Sequence, residues 1–316
     1  MLTLSAIYEA QKRLAPYVYR TPVIRIQALD EVLHCQVYVK AENMQRIHAF
    51  KIRGALNKAL QLSPETLKNG IVTASSGNHG RGVAFAGKLL GVPVTVVMPE
   101  HAPEVKKAAI RDLGAEIVLC EKSQRFVIAD RITKEKGACF IHPFDDYDVM
   151  AGQGTAGLEM MEQLPEVDKI VVPVGGGGLV SGIATAVKGI RDSVRVYGAE
   201  PALCDRYTES FKKKEPVLVP VGDTIADGTM TARPGDKNFP IVRDKVDRVI
   251  PVEERFIHQA VKLLLQEGKI LAEPSSSMTL GAVLQGTLPV AEDEKVIFFL
   301  SGGNVDLSMI EKVCKE

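Results

Sequence analysis

The chain has no tryptophan, and Phe and Tyr together make up only 5% of its 316 residues. Stacking platforms for single-stranded nucleic acid need such rings, so that class of partner is disfavoured. Charge of one sign is also missing. The formal net charge is +0, and no basic block exceeds Lys212-Lys213-Lys214. So short a run reads as a solvated loop and leaves no footprint for nucleic acid or an anionic membrane. No apolar run approaches the roughly 20 residues that cross a bilayer. The first residues lack the charged-then-apolar pattern of a signal peptide. Cys35, Cys120, Cys139, Cys204 and Cys314 are scattered, with no C-x-x-C pair. An odd, dispersed set points to reduced thiols and a cytoplasmic location.

What remains is an ordinary globular composition, 46% hydrophobic and 25% charged. The length suffices for two lobes or one large α/β unit. A short amphipathic helix is predicted over 4–14, stopped near Pro16, and a strand over 36–40. From residue 70 strands at 71–74, 94–98, 116–119 and 139–141 alternate with helices at 80–90, 103–113 and 124–136. The rhythm resumes with a helix at 154–163, a strand at 170–174, a helix at 180–189 and a strand at 194–200. The stretch 201–240 reads as irregular. Helices near 253–267 and 275–286 precede a last strand at 296–300. Such alternation means βαβ units and parallel sheets. The spacing recurs but the sequence does not, so this is no repeat protein. The short segment after Leu300 leaves no room there for an appended regulatory domain.

Four segments can carry chemistry. Phe50-Lys51-Ile52-Arg53-Gly54-Ala55 lies between a strand and a helix. A lysine amine there can form a Schiff base with an aldehyde cofactor, although most lysines are solvated surface groups. Ser75-Ser76-Gly77-Asn78-His79-Gly80 follows a strand and opens a helix. Free amides and the dipole of a helix N-terminus suit a carboxylate, and the plainer alternative is an ordinary Ser/Asn cap. His79 is given no proton-transfer role. Gly175, Gly176, Gly177 and Gly178, followed by Leu179, join a strand to a helix. Successive amides there can turn inward as an anion nest, where a phosphate monoester fits. Ser301-Gly302-Gly303-Asn304 follows the last strand, where ligands of open parallel sheets collect. A serine there can hydrogen-bond a neutral ring nitrogen. A rival reading takes the four glycines as a dinucleotide site, with Glu200 as its ribose-binding acid. The G-x-G-x-x-G pattern fails, because its last position is Val180 or Ser181 in the two registers.

Together, in this order, these segments resemble the fold-type II pyridoxal phosphate (PLP) enzymes, and within them the threonine/serine dehydratases and serine racemases. Arg20-Thr21-Pro22, Ala151-Gly152-Gln153-Gly154-Thr155 and Thr224-Ile225-Ala226-Asp227-Gly228 extend the likeness over nearly the whole chain. The resemblance implies a two-lobed α/β fold of the tryptophan synthase β kind. Open twisted sheets would be flanked by helices, with PLP in the cleft. The small lobe would span 71–146, and 1–70 with 147–316 would form the large one. Lys51 would hold the cofactor and act as base at the substrate Cα. Phe50 would pack beside the ring, Asn78 would bond its 3′-oxygen, and Ser301 would meet its nitrogen. Gly175, Gly176, Gly177, Gly178 and Leu179 would hold the phosphate. Ser75, Ser76, Asn78 and His79 would frame the substrate carboxylate, with Ser76 as a second base on the opposite face. A homodimer is also implied.

The activity implied is ammonia-lyase action on L-threonine or L-serine. Serine racemase is the alternative, and Glu273-Pro274-Ser275 resembles that side of the subgroup. A substituted-cysteine synthase would need a second-substrate site that the sequence does not reveal. Two departures stand out. The family usually reads Thr-Gly-Ser before Phe-Lys, and this chain reads Ile47-His48-Ala49. Either the loop changes without touching substrate, or the preference shifts toward a larger or acidic β-hydroxy amino acid such as phenylserine or 3-hydroxyaspartate. Racemases of this type often hold a divalent cation by a Glu, a carbonyl and an Asp. Glu200 and Cys204 match the first two, but the third position is Arg206, so no metal is expected.

Overall fold

The computed structural model describes residues 1–315. Ten strands run in chain order: β1 (Val23–Arg25), β2 (Gln36–Ala41), β3 (Ile71–Ala74), β4 (Val94–Pro99), β5 (Glu116–Cys120), β6 (Cys139–Phe140), β7 (Lys169–Pro173), β8 (Arg195–Pro201), β9 (Arg248–Val252) and β10 (Lys295–Leu300). They form a six-stranded sheet ordered β1-β2-β10-β7-β8-β9 and a four-stranded sheet ordered β5-β4-β3-β6. Every pairing is parallel except that of β1 with β2. This is the α/β architecture that the alternating pattern implies.

The central strands are apolar without alternation because helices cover both faces. All five residues of β7 are buried. On one face Val171 and Phe298 pack with Ile257, Leu264 and Met278 of the helices Glu254–Gln266 and Pro274–Leu284. On the other Ile170, Val172 and Phe299 pack with Met160, Val180 and Ile183 of the helices Tyr147–Gln163 and Gly178–Ile190. The small sheet is covered likewise. One of its core clusters includes Ile52, Ala55 and Leu56 from the helix Lys51–Ala59. That helix therefore packs with the helix Asn78–Leu90, which covers the small sheet, although it precedes residue 71.

Four buried charges pin this helix from the other side. Arg53 donates to Glu42 at 2.7 and 2.8 Å and to Glu159 at 2.6 and 2.9 Å. Lys40 donates to Glu159 and to the Thr21 carbonyl, both at 2.6 Å. Two cations meet two carboxylates in a space closed to water, where each needs the others.

Three expectations are corrected. The helix expected at 154–163 begins at Tyr147, capped by the Asp146 carboxylate. Gly152, Gly154 and Gly157 lower its intrinsic propensity, but close helix crossings require small residues. A Cβ on Gly152 would lie 2.4 Å from the Arg53 carbonyl oxygen, and one on Gly182 would lie 2.3 Å from that of Met150. The segment 201–240 is not wholly irregular. It contains the helix Arg206–Lys213 and the start of Asn238–Lys245, so Lys212 and Lys213 close a helix instead of lying in a loop. Strand β9 lies in a span for which no element was read, and it carries Pro251. The edge of a sheet tolerates it.

Gly152→Ala should force Arg53 and the Lys51 helix outward. We expect a loss of about 1–3 kcal/mol, the usual cost of overpacking, read as a lower urea midpoint. An unchanged midpoint would contradict the crossing described.

Candidate active site

The segments after β3, β7 and β10 meet at the carboxyl ends of the two sheets, around a cleft of about 1660 Å³. Phe50, Lys51, Ser75, Ser76, Asn78, His79, Gly175, Gly176, Gly177, Gly178, Leu179 and Ser301 all line it. The fold thus brings together residues that lie between positions 50 and 301 of the sequence.

Lys51 is the first residue of its helix, and its Nζ donates to the Pro143 carbonyl at 2.8 Å. Burial pulls its pKa down to about 8, against the opposing charge of Glu273. A desolvated amine is the neutral nucleophile that an aldehyde needs. Phe50 sets its ring edge-on to Phe299, centroids 6.2 Å apart, and so turns it toward the cleft wall.

The glycine run is a cradle built from outside. A Cβ on Gly176 would meet the Phe144 ring at 2.3 Å, and one on Gly177, whose φ is +107°, would meet Tyr207 Oη at 1.9 Å. Among the described residues, no protein acceptor takes the amides of Gly175, Gly176, Gly177, Gly178 or Leu179. Five idle amides at a helix N-terminus fit a phosphate. With the Lys51 amine on the same cleft, the residues present fit PLP.

Ser301 shares a 3.0 Å hydrogen bond with Ser276 Oγ, which also accepts from the Gly302 amide at 2.9 Å. The single Ser276 proton goes to the Gly302 carbonyl at 2.8 Å, so Ser301 donates to Ser276 here and a ring nitrogen would have to compete for that proton. Ser75 Oγ accepts from the Gly77 amide at 3.3 Å, and the next helix opens at Asn78. The Asn78 side chain donates to both carboxylate oxygens of Glu273, at 2.9 and 3.0 Å, and its Oδ1 accepts from Asn304 at 2.8 Å. Its donor is therefore turned to Glu273 here, and a cofactor 3′-oxygen would have to compete for it.

The ring of His79 is engaged away from the carboxylate donors, while its amide lies in the first turn of the helix that opens at Asn78. Its Nε2 lies 3.1 Å from the Ile141 carbonyl, which can only accept. The proton therefore sits on Nε2, and Nδ1 carries a buried lone pair without a partner. Burial and then the Lys51 charge keep the ring neutral. Such a nitrogen repels a carboxylate. The ring ties its helix to β6 instead.

Glu273 was not expected in the site. Burial raises its pKa to about 7, partly offset by the Asn78 bonds. In the sequence, Glu273-Pro274-Ser275 stood out only as a mark of the racemase side of the subgroup. His48, in contrast, points away. It is exposed, adopts the left-handed conformation at φ 56°, and is absent from the cleft wall. Its carbonyl accepts from Gly303 at 2.9 Å. The loop has changed at a glycine-favoured position without reaching the substrate space.

The racemase-type metal does not fit. Among the described residues, no group of three His, Cys, Asp or Glu side chains could hold an ion. The Arg206 guanidinium lies beside Glu200 and donates to the Cys204 carbonyl. The same geometry removes the dinucleotide reading. Glu200 is fully buried and accepts from the amides of Tyr207 at 2.9 Å and Thr208 at 2.8 Å, so it has no ribose to meet.

The lowered pKa of Lys51 predicts the pH dependence of its reactivity. Its neutral fraction rises as pH passes about 8, where an ordinary lysine waits until 10.5. Schiff-base formation between the apoprotein and free pyridoxal should accelerate with a midpoint near pH 8. A midpoint near 10.5 would contradict the desolvated environment.

The family model described as "Pyridoxal-phosphate dependent enzyme" matches residues 14–302. An L-threonine ammonia-lyase of Geobacter sulfurreducens is 46% identical over 99% of this chain and 78% of its own length. One from Thermotoga maritima is 42% identical over the same shares. The solved structure of maize serine racemase superposes with a TM-score of 0.94 at 39% identity, covering 99% of this chain and 97% of the other. The glycine cradle, the buried amine and these likenesses lead to one conclusion: the chain belongs to the pyridoxal-phosphate dependent enzymes, in the fold-type II group that holds threonine ammonia-lyases and serine racemases.

Proposed function

We propose that the protein is a PLP-dependent ammonia-lyase that converts L-threonine or L-serine to a 2-keto acid and ammonia. The observation that carries this reading is the shared cleft of Lys51, the idle glycine amides and a neutral Ser301. The 46% identical L-threonine ammonia-lyase supports the substrate class. PLP, when bound, supplies an electron sink for the pair left behind when the Cα–H bond breaks. The amides of Gly175 to Leu179 would hold its phosphate, and Phe50 walls one side of the cleft. Lys51 Nζ takes the Cα proton, and its low pKa keeps the amine available as a base near neutral pH. Ser75, Ser76 and the free amides opening the Asn78 helix receive the substrate carboxylate. Ser301 carries no charge and would meet the ring nitrogen without protonating it, a setting that suits loss of the β-hydroxyl as water. Hydrolysis of the eliminated product gives 2-oxobutyrate from threonine or pyruvate from serine.

Racemisation of serine is a second reading, favoured by Ser76 on the wall of the same cleft and by the likeness to maize serine racemase. The proposal includes a small lobe at 71–146 between the two parts of the large lobe. It also includes a homodimer and a cytoplasmic location. The five free cysteines suit a reducing compartment. No described helix is long and apolar enough to cross a membrane.

The test is a panel of L- and D-β-hydroxy amino acids, with keto acid and enantiomer followed together. We expect keto acid from L-threonine and L-serine, and the same preference in His48→Gly. D-serine accumulating without keto acid would overturn the lyase assignment. Ser76→Ala should abolish racemisation while L-elimination persists. Equal loss of both would make Ser76 a positioning residue.

A further inference from the structure

A buried cation stands behind the glycine cradle, where the catalytic steps above do not use it. Arg206 is fully buried and is the first residue of its helix. A positive charge at a helix N-terminus opposes the dipole, so its retention needs a reason. Its Nη1 donates to the Val174 carbonyl at 2.8 Å, and its Nη2 donates to the Cys204 carbonyl. Its Nε lies 3.8 Å from Glu200 Oε2. The next residue, Tyr207, donates from Oη to the Gly176 carbonyl at 3.0 Å.

These bonds have a directional consequence. A trans peptide is planar, so the N–H of one residue points opposite to the C=O of the residue before it. Drawing the Val174 carbonyl back toward Arg206 turns the Gly175 amide the other way. The Gly176 carbonyl, held by Tyr207 Oη and by the Gly235 amide at 3.0 Å, does the same for the Gly177 amide. Both amides are among the five without a protein acceptor. The acceptors around the guanidinium are one carboxylate and two carbonyls, an all-oxygen set of the kind that hard divalent cations also take.

We propose that Arg206 is a built-in replacement for a bound divalent cation: its guanidinium holds the Val174 and Cys204 carbonyls beside Glu200, and thereby aims the glycine-loop amides at the cofactor phosphate without metal. Arg206 is a positioning residue, acting through the backbone of the loop. The inference rests on the cofactor reading and is independent of which amino acid is the substrate.

The experiment measures equilibrium binding of PLP and of pyridoxal, which lacks the phosphate, to the apoprotein. Each titration is run in EDTA and in millimolar MgCl2 or CaCl2. Wild-type binding should agree within about twofold in all three buffers. Tyr207→Phe, which removes one hydroxyl, should weaken PLP several-fold and leave pyridoxal unchanged. Arg206→Met, checked for an unchanged circular dichroism spectrum, should weaken PLP at least tenfold with pyridoxal again unchanged. Arg206→Asp supplies a second carboxylate to the oxygen set. It should bind PLP weakly in EDTA and recover most of the loss with Mg2+ or Ca2+. Wild-type protein that needs metal would overturn the proposal, as would variants that lose PLP and pyridoxal equally. An Arg206→Asp protein indifferent to both ions would overturn the replacement of metal by arginine.

Discussion

The arrangement depends on one buried ion cluster. Arg53 lies two residues beyond Lys51, and its guanidinium is shared between Glu42 and Glu159. Burial alone would lower its pKa, but the two carboxylates outweigh that penalty and hold it firmly cationic. Removing one partner from such a cluster costs about 3–5 kcal/mol, because the charge left behind has no water to turn to. The carboxylates come from the end of β2 and from the helix Tyr147–Gln163, so the cluster locks the Lys51 helix to the large sheet. The other side of that helix packs with the helix Asn78–Leu90, which covers the small sheet. Lys51 therefore stands at the junction by construction, and its mobility is limited by elements on both sides.

The charges inside the cleft follow from the same exclusion of water. Lys51 is drawn toward neutrality, and Glu273 is raised to about 7. No strong permanent charge from these groups faces the cofactor. A neutral Ser301 at the end of β10 continues the pattern. An amine that is half neutral near pH 8 is at once a nucleophile for an aldehyde and a base for a Cα proton. One lysine can therefore serve both tasks without a neighbouring catalytic acid.

Much of this was legible in the sequence because the motifs sit where β-branched runs stop. The ends of β3, β7 and β10 were readable from Ile71–Ala74, Ile170–Val174 and Val296–Leu300, and the segments after them line one cleft. Features created by tertiary contact were not readable. Gly152 looks like a weak helix residue until the Arg53 backbone is seen beside it. His79 looks like a donor to a carboxylate until the Ile141 carbonyl claims its proton. Glu273 enters the site only because β10 returns to the centre of the sheet and brings Gly302 against it, and the glycine cradle takes its direction from Arg206 and Tyr207, which lie in a stretch that reads as irregular. Local pattern reports strands and turns, whereas the direction of an amide or a proton is decided by residues far along the chain.

The central claim is that the amine at position 51, and no other, carries the cofactor. The direct measurement is borohydride reduction of the PLP-loaded protein, followed by digestion and mass analysis of the peptides. The account predicts one pyridoxyl-phosphate adduct per chain, on Lys51. An adduct on another lysine, or none on a protein that has bound PLP, would contradict it.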